Sequence, residues 1–200
     1  RSLATDGIQI TCAPESEDTT YQSALPEAEV IWHVLKPIDA AQIARAPKLR
    51  LIQKIGVGVN TIDLDACRSR GIAVCNMPGT NTRAVAEMAL LLMLACLRRL
   101  NTLDAGVRRS GGWGEGWRLQ GQLGELGGKT VGLVGYGGVA KMLEGMLIAM
   151  GAKVMHTSRQ SGVPLAEVLA TADIVSLHAP LTAETEKFID PRKMKRGAIF

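Results

Sequence analysis

Gly135-Tyr136-Gly137-Gly138-Val139-Ala140 is the stretch of sequence that decides the fold. It follows the short apolar run Thr130–Val134 and precedes a helix-forming segment, residues 141–150. A strand, a tight glycine turn and a helix in this order are typical of a loop that binds a dinucleotide. Gly135 allows the turn, Gly137 lets a pyrophosphate approach the backbone, and the helix directs unpaired N–H groups at the phosphates.

One position departs from this fingerprint, because the third glycine is replaced by Ala140. Alanine is still small enough for the helix to pack closely on the strand, so we interpret it as a tolerated variant. The alternative is a plain connection between a strand and a helix, since a glycine pattern alone is a weak signal. The strand on each side of the loop and helix favours the dinucleotide site.

The residues that follow the next predicted strand, Lys153–Thr157, bear on the choice of cofactor. An NAD site usually carries Asp or Glu there, about 20 residues after the loop, to bind the ribose hydroxyls. Here the position holds Ser158, followed by Arg159. A hydroxyl and a guanidinium would bind a 2′-phosphate, so the sequence favours NADP(H), with NAD(H) still possible. The alternative is an exposed loop with an ordinary surface arginine.

Composition excludes several other classes of protein. The 200 residues, 46% of them hydrophobic, suffice for one or two domains with a sizeable core. The net charge of +4 is mild, and no basic stripe with interleaved aromatics is present, so we expect no nucleic-acid partner. The most apolar stretch, residues 84–97, is shorter than the ~20 residues that a membrane span needs. It therefore predicts a buried helix and no membrane association.

The cysteines indicate a reducing compartment. Four are present, far apart and without metal-ligand spacing: Cys12, Cys67, Cys75 and Cys96. We expect free thiols, a cytoplasmic protein and no metal site.

Short apolar runs alternate with helical patterns along the whole chain, which predicts an α/β fold with parallel sheets. Strands are predicted for residues 8–12, 29–34, 51–55, 72–75, 130–134, 153–157, 172–177 and 198–200, and helices for residues 38–46, 61–70, 82–97, 141–150 and 181–186. A glycine-rich segment, residues 111–128, follows the long helix. We therefore place a domain boundary near residue 100, which gives domains of residues 1–100 and 101–200.

Taken together, these blocks resemble the D-isomer-specific 2-hydroxyacid dehydrogenases, of the glyoxylate and hydroxypyruvate reductase type. Besides the glycine loop, the matching blocks are KIGVGVNTID at residues 54–63, GIAVCNMPGTN at 71–81, AVAE at 84–87 and ADIVSLHAPLT at 172–182. The resemblance covers about residues 51–200, and the spacing between the blocks also fits.

The resemblance implies two doubly wound parallel-sheet domains. Residues 1–100 would form a flavodoxin-like substrate domain without its C-terminal return segment. Residues 101–200 would form the first part of a Rossmann-type dinucleotide-binding domain. The implied protein is a homodimer that transfers a hydride between a nicotinamide cofactor and a small 2-keto or D-2-hydroxy acid.

The resemblance also implies roles for individual residues. The substrate would be bound by the loop at Val57 and Gly58, through backbone N–H groups, and by Asn81. The cofactor would be contacted by Val85 near the nicotinamide and by Gly135, Gly137, Gly138 and Val139 at the pyrophosphate, with Ser158 and Arg159 at the ribose and Ala179 and Pro180 in the pocket wall.

No catalytic residue is assigned within residues 1–200. The catalytic Arg, Glu and His of the resembled family fall after the segment that ends at Phe200, so we expect these residues alone not to reduce a keto acid. His178 matches a position in the pocket wall, and His33 and His156 are expected to be structural. Three alternatives stay open: a non-enzymatic dinucleotide-sensing relative, an inactive fragment of the enzyme, and a methyltransferase that uses a similar glycine loop.

Overall fold

The computed structural model describes residues 6–14, 16–110 and 112–200. The chain divides into two compact units, Arg1–Thr80 and Asn81–Phe200. Each unit contains a parallel sheet with helices packed on it. The predicted α/β class with two parallel sheets is therefore confirmed.

The first unit is built on three parallel strands in sequence order. After helix α1 (Asp18–Ala24), strands β1 (Val30–His33), β2 (Leu51–Lys54) and β3 (Ala73–Cys75) alternate with helices α2 (Ala40–Ala44) and α3 (Leu64–Ser69). The core packs β2 against both helices, through Ile52, Ile43 and Cys67. The reversal of strand order that a flavodoxin-like sheet requires stays a prediction for this unit.

Side chains at the helix starts explain why these short helices form. Asp39 accepts a hydrogen bond from the N–H of Gln42 at 2.8 Å, and the Gln42 side chain accepts one from the N–H of Asp39. This reciprocal pair satisfies two N–H groups that the helix itself leaves free. Asp63 caps α3 in a similar way, by accepting from the N–H of Ala66 at 2.9 Å. Gly71 ends α3 with φ of 66°, a conformation that favours glycine.

The second unit is a sheet covered on both faces. It begins with three helices, α4 (Thr82–Leu97), α5 (Leu100–Ser110) and α6 (Gly114–Leu119). Strands β4 (Thr130–Val134), β5 (Lys153–Thr157) and β6 (Ile174–Leu177) then alternate with helices α7 (Gly138–Ala149) and α8 (Leu165–Thr171). Val131 and Leu133 of β4 are buried with α4 and α7, whereas Val134 is buried with α8. The alternation of side chains along β4 thus gives each face its own core.

The strands of this sheet are parallel and lie in the order β5-β4-β6, so the next two strands of the chain lie on opposite sides of β4. The chain moves from β4 to β5 on one side and then returns to place β6 on the other side. Ile199 continues the sheet beyond β6 through a parallel bridge with Ile174. In open α/β sheets, ligands bind beyond the carboxyl ends of the strands at such a switch point. The glycine loop lies there, directly after β4.

Three predictions about elements are wrong for the described residues. Residues 8–12 form no strand, because no neighbouring strand pairs with them, and Ile8 and Ile10 are half exposed. Residues 181–186 form a turn instead of a helix. The long helix α4 is only partly buried, since Met88 and Leu92 are 53% and 56% exposed.

The division between the units also differs from the predicted boundary near residue 100, because the units separate between Thr80 and Asn81. Packing explains the difference. Ala86 and Met93 of α4 belong to the same buried core as Leu143 of α7. The long helix is therefore part of the second unit, although the change in composition comes only after it.

Replacing two glycines of the second unit by alanine should have opposite effects on the free energy of unfolding. A Cβ on Gly132 of β4 would overlap Val168 Cγ1 and lie 3.1 Å from Ala172 Cβ, whereas a Cβ on Gly145 of α7 would meet nothing within 4 Å. Gly132→Ala should lower the free energy of unfolding by about 1 to 3 kcal/mol through overpacking. Gly145→Ala should raise it by about 0.5 to 1 kcal/mol through helix propensity. Chemical denaturation measures both, and a Gly132→Ala variant as stable as the wild type would contradict the close packing of α8 on β4.

Candidate functional site

The glycine loop makes a close backbone contact with the end of β6. Gly135 has φ of 91°, and a Cβ there would lie 2.6 Å from the carbonyl carbon of His178 and 2.7 Å from the N of Ala179. The N–H of Gly135 donates to Thr157 O at 2.9 Å, and the N–H of His178 donates to Val134 O at 2.6 Å. Only glycine combines this φ with this approach. The loop, the end of β5 and the turn after β6 are therefore held together at the switch point.

The start of α7 leaves room and hydrogen-bond donors for an anionic group. Gly137 is the N-cap, and no side chain caps the helix. In the described part of the chain, the N–H groups of Gly138, Val139 and Ala140 donate to no protein acceptor. A Cβ on Gly137 would meet nothing within 4 Å, so the space beside it is open. This arrangement fits a pyrophosphate, which accepts hydrogen bonds from free N–H groups at a helix N-terminus.

Helix α4 starts beside the loop. A Cβ on Gly138 would lie 3.8 Å from both Cγ2 and Oγ1 of Thr82, the first residue of α4. Asn81 is the N-cap of this helix, although its side chain makes no capping hydrogen bond. Val85, one turn further along, lines an apolar groove of about 420 Å³ together with His178. The structure thus brings Asn81, Val85 and the turn after β6 to the same end of the sheet as the glycine loop.

His178 lies in the wall of this groove. Its Nε2 is 3.0 Å from Ser176 Oγ, and burial lowers the pKa of its imidazole below 6.5. Burial therefore favours the neutral imidazole. The next residues, Ala179 and Pro180, continue the same turn, and Pro180 O accepts a hydrogen bond from Thr185 Oγ1 at 2.5 Å.

The Ser158–Arg159 pair follows β5 in a tight turn. The Ser158 hydroxyl accepts from the N–H of Ser161 at 3.0 Å, and it lies 3.0 Å from Ser161 O. These bonds hold the turn and engage the hydroxyl. The Arg159 side chain is 74% exposed, and its Nη2 lies 3.1 Å from Glu184 Oε2. Glu184 lies in the turn after β6, and nothing in the sequence indicates that it contacts Arg159.

An aromatic pair next to the loop was also missed by the sequence argument. The ring of Tyr136 stacks on His156 of β5, with ring centroids 3.7 Å apart and planes 8° from parallel. The Tyr136 hydroxyl donates to the Glu144 carboxylate of α7, and this bond raises the pKa of the phenol. Lys141 Nζ lies 5.6 Å from the ring centroid. The pair links the loop to β5 and α7, and the structural role of His156 stays a prediction.

The loop after β2 in the first unit has the features of a carboxylate site. In the described part of the chain, the N–H groups of Val57 and Gly58 donate to no protein acceptor. Asn76 Nδ2 donates to Val57 O at 2.8 Å, which fixes the peptide between Val57 and Gly58. Successive free N–H groups in such a loop can bind an anion. Asn76 directly follows β3, and this position at a strand end is the signal by which it could have been found.

A histidine at the end of β1 and a lysine at the end of β2 are both buried. His33 is 4% exposed and Lys54 is 6% exposed. The His33 Nε2–H donates to Lys36 O at 2.6 Å, whereas its Nδ1 is buried without a partner among the described residues. The Lys54 ammonium donates to Val34 O. Burial lowers the pKa of His33 below 6.5, with a smaller contribution from the Lys54 charge.

Two further classes of site find no support among the described residues. No group of three or more His, Cys, Asp or Glu side chains there is placed to hold a metal ion. None of the helices in residues 6–14, 16–110 and 112–200 has the length and apolarity to cross a membrane.

Residues 1–190 match the family model for the catalytic domain of D-isomer specific 2-hydroxyacid dehydrogenases. The chain belongs to this family. Curated relatives include the D-3-phosphoglycerate dehydrogenase of Mycobacterium leprae, 33% identical over 210 residues that cover 97% of this chain and 39% of the relative. The glyoxylate reductase of Korarchaeum cryptofilum is 36% identical over 202 residues, which cover 94% of this chain and 60% of that enzyme. The chain thus spans about two to three fifths of the length of these relatives.

Solved structures of the same kind share the fold. The NAD-dependent formate dehydrogenase of Staphylococcus aureus, solved in complex with NAD, superposes with a TM-score of 0.83 at 27% identity and covers 96% of this chain and 60% of its own. The pyruvate reductase of Chlamydomonas reinhardtii superposes with a TM-score of 0.75 at 30% identity, and the match covers 92% of this chain and 58% of that chain. These likenesses confirm the family that the sequence resembles.

Because the imidazole of His33 is buried, we expect the free energy of unfolding to decrease as the pH is lowered. Folding favours the neutral ring, so its folded pKa lies below the unfolded value of 6.5. As pH falls below about 6.5, the unfolded chain takes up a proton first, and the stabilisation is lost as pH approaches the lower folded pKa. Chemical denaturation between pH 7.5 and 5.5 should show this decrease. His33→Gln keeps a donor for Lys36 O without a titrating ring, so its decrease should be smaller. If the stability of His33→Gln decreases with falling pH as much as that of the wild type, His33 is not the source of the decrease.

Proposed function

We propose that the protein is an oxidoreductase that transfers a hydride between a nicotinamide dinucleotide and a small 2-keto or D-2-hydroxy acid. The observation that carries this proposal is the glycine loop at the switch point, followed by a helix whose first N–H groups have no acceptor among the described residues. The bound cofactor supplies the hydride for the carbonyl carbon, while the protein positions the two reactants. Glyoxylate and hydroxypyruvate are the proposed substrates.

The two parts of the chain have different proposed roles. The first unit binds the substrate carboxylate through the N–H groups of Val57 and Gly58. Asn81, at the start of the second unit, is the other proposed substrate-binding residue. The second part binds the dinucleotide, with Gly135, Gly137, Gly138 and Val139 at the pyrophosphate and Val85, Ala179 and Pro180 around the rest of the molecule. Asn76 is a positioning residue, because it orients the Val57–Gly58 peptide. No proton donor is assigned among the residues described.

The proposed cofactor is NADP(H), with NAD(H) as the alternative. The support is chemical: the ribose-reading position carries Ser158 and Arg159, and a carboxylate that would repel a 2′-phosphate is absent from it. Since the Ser158 hydroxyl is engaged in its own turn, the guanidinium of Arg159 is the group that would bind the phosphate. A planar guanidinium binds phosphate through two parallel hydrogen bonds.

The proposed assembly is a homodimer in the cytoplasm. Exposed apolar side chains on α4, on α6 and at the N-cap of α6 support an interface between copies. Each is more than half exposed: Met88, Leu91, Leu92, Trp113 and Trp117. Large exposed apolar areas mark interaction sites. All four cysteines are free thiols, which fits a reducing compartment. A monomeric mass by light scattering at micromolar concentration would contradict the dimer.

Gly137→Val tests the dinucleotide site. The native φ of −86° suits any residue, and the space beside Gly137 is open, so the variant should fold with nearly wild-type stability. The branched side chain would occupy the space that the pyrophosphate needs. We expect dinucleotide binding to weaken at least tenfold in a fluorescence titration, while the thermal midpoint changes little. If the variant binds the dinucleotide as the wild type does, this loop is not the site.

Arg159→Ala tests the cofactor preference. Loss of a charge-assisted hydrogen bond should cost about 1.5 to 3 kcal/mol of NADPH binding and leave NADH binding nearly unchanged. Parallel titrations of the two dinucleotides measure the difference. Equal losses for both would show that Arg159 does not read the 2′-phosphate.

Turnover separates the enzyme from the non-enzymatic alternatives. The product of the complete gene should oxidise NADPH with glyoxylate or hydroxypyruvate at about 1 per second or faster. D-3-phosphoglycerate, suggested by the name of the mycobacterial relative, serves as the competing substrate and is assayed with NAD as oxidant. Dinucleotide binding without turnover on any of these acids would favour the sensing alternative.

A further inference from the structure

A salt bridge joins the two loops that flank the proposed ribose site. Arg159 Nη2 lies 3.1 Å from Glu184 Oε2. Arg159 follows β5, and Glu184 lies in the turn after β6. These strands are the two neighbours of β4, and all three run parallel. The pair therefore spans the carboxyl end of the sheet, above the strand that leads into the glycine loop.

The turn that carries Glu184 is held by its own hydrogen bonds. The N–H of Thr182 donates to Thr185 Oγ1 at 2.8 Å, and Thr185 Oγ1 donates to Pro180 O at 2.5 Å. The N–H of Glu186 donates to Thr182 O at 2.9 Å. Glu184 thus projects from a braced turn directly after the proposed pocket wall. Among the described residues, the cation paired with Glu184 is Arg159 alone.

We propose that Glu184 is a specificity-determining residue for the dinucleotide, because its carboxylate competes with a 2′-phosphate for the Arg159 guanidinium. This inference rests on the proposed NADP(H) site. Carboxylates and phosphates both accept paired hydrogen bonds from one guanidinium fork, so Arg159 cannot fully serve both. Binding of NADP(H) must break the salt bridge and bring a phosphate dianion near a carboxylate. Binding of NAD(H) leaves the pair intact.

The expected size of the effect follows from the exposure of the pair. The Arg159 and Glu184 side chains are 74% and 77% exposed. Exposed ion pairs change an equilibrium by up to about fivefold, and salt screens them. Glu184 should therefore weaken NADPH binding by a few fold and leave NADH binding unaffected. The substitution should not disturb folding, because the side chain is exposed.

Glu184→Gln, which keeps the size of the side chain and removes its charge, tests the proposal. Fluorescence titrations at low ionic strength should show a Kd for NADPH that is about threefold to fivefold lower than that of the wild type, with the Kd for NADH unchanged. Glu186→Gln is the matched control. It removes the same charge from the same turn, where Glu186 lies 3.7 Å from Lys187, and it should change neither Kd.

The same comparison in an Arg159→Ala background separates competition from simple repulsion. Without the guanidinium there is nothing to compete for and only the repulsion between carboxylate and phosphate remains, so Glu184→Gln should lower the Kd for NADPH clearly less than it does in the presence of Arg159. A gain that persists in full would overturn the competition. An unchanged Kd for NADPH in Glu184→Gln, with Arg159→Ala still weakening NADPH, would overturn the role of Glu184 and leave the cofactor proposal intact. If Arg159→Ala itself has no effect on NADPH, the cofactor proposal fails and this inference fails with it.

Discussion

The second unit depends on one constraint: strand β4 and the loop after it have no space for side chains at two positions. At Gly132 the helix α8 packs against the bare backbone, and at Gly135 the backbone of His178 and Ala179 comes within 2.8 Å of where a Cβ would be. The first contact sets the distance between helix and sheet. The second lets the turn after β6 come onto the glycine loop, so the candidate site depends on glycine at this position.

Much of the fold could be predicted because short-range signals specify it. The bounds of β4 and β5 agree with the apolar runs, since glycines and turn residues mark their ends. Gly71 ends α3 next to the predicted end at residue 70, because capping depends only on neighbouring residues. The start was predicted less well, since α3 begins at Leu64 after its N-cap Asp63 and not at residue 61. The strand predicted for residues 8–12 was wrong because a strand also needs a partner. Apolar alternation does not reveal whether one is present.

The candidate site was only partly predictable for a similar reason. Glycine positions follow from backbone geometry, so the loop could be read from Gly135 and Gly137 directly. The stacking of Tyr136 on His156 and the salt bridge between Arg159 and Glu184 join residues that are 20 and 25 positions apart. Such contacts depend on the order of strands in the sheet. The burial of α4 was overestimated because its apolar composition does not distinguish a core face from a surface that a partner covers.

The uncapped start of α7 has a consequence for local motion. The first-turn amides have no protein acceptor within residues 6–14, 16–110 and 112–200, so water solvates them until an anion arrives. Its amide hydrogens should exchange with solvent much faster than those of the buried turns around Leu143 and Leu147. A bound pyrophosphate would protect the first-turn amides and so couple ligand affinity to the opening of one helical turn. Hydrogen exchange at three consecutive amides would then measure occupancy of the site independently of any reaction.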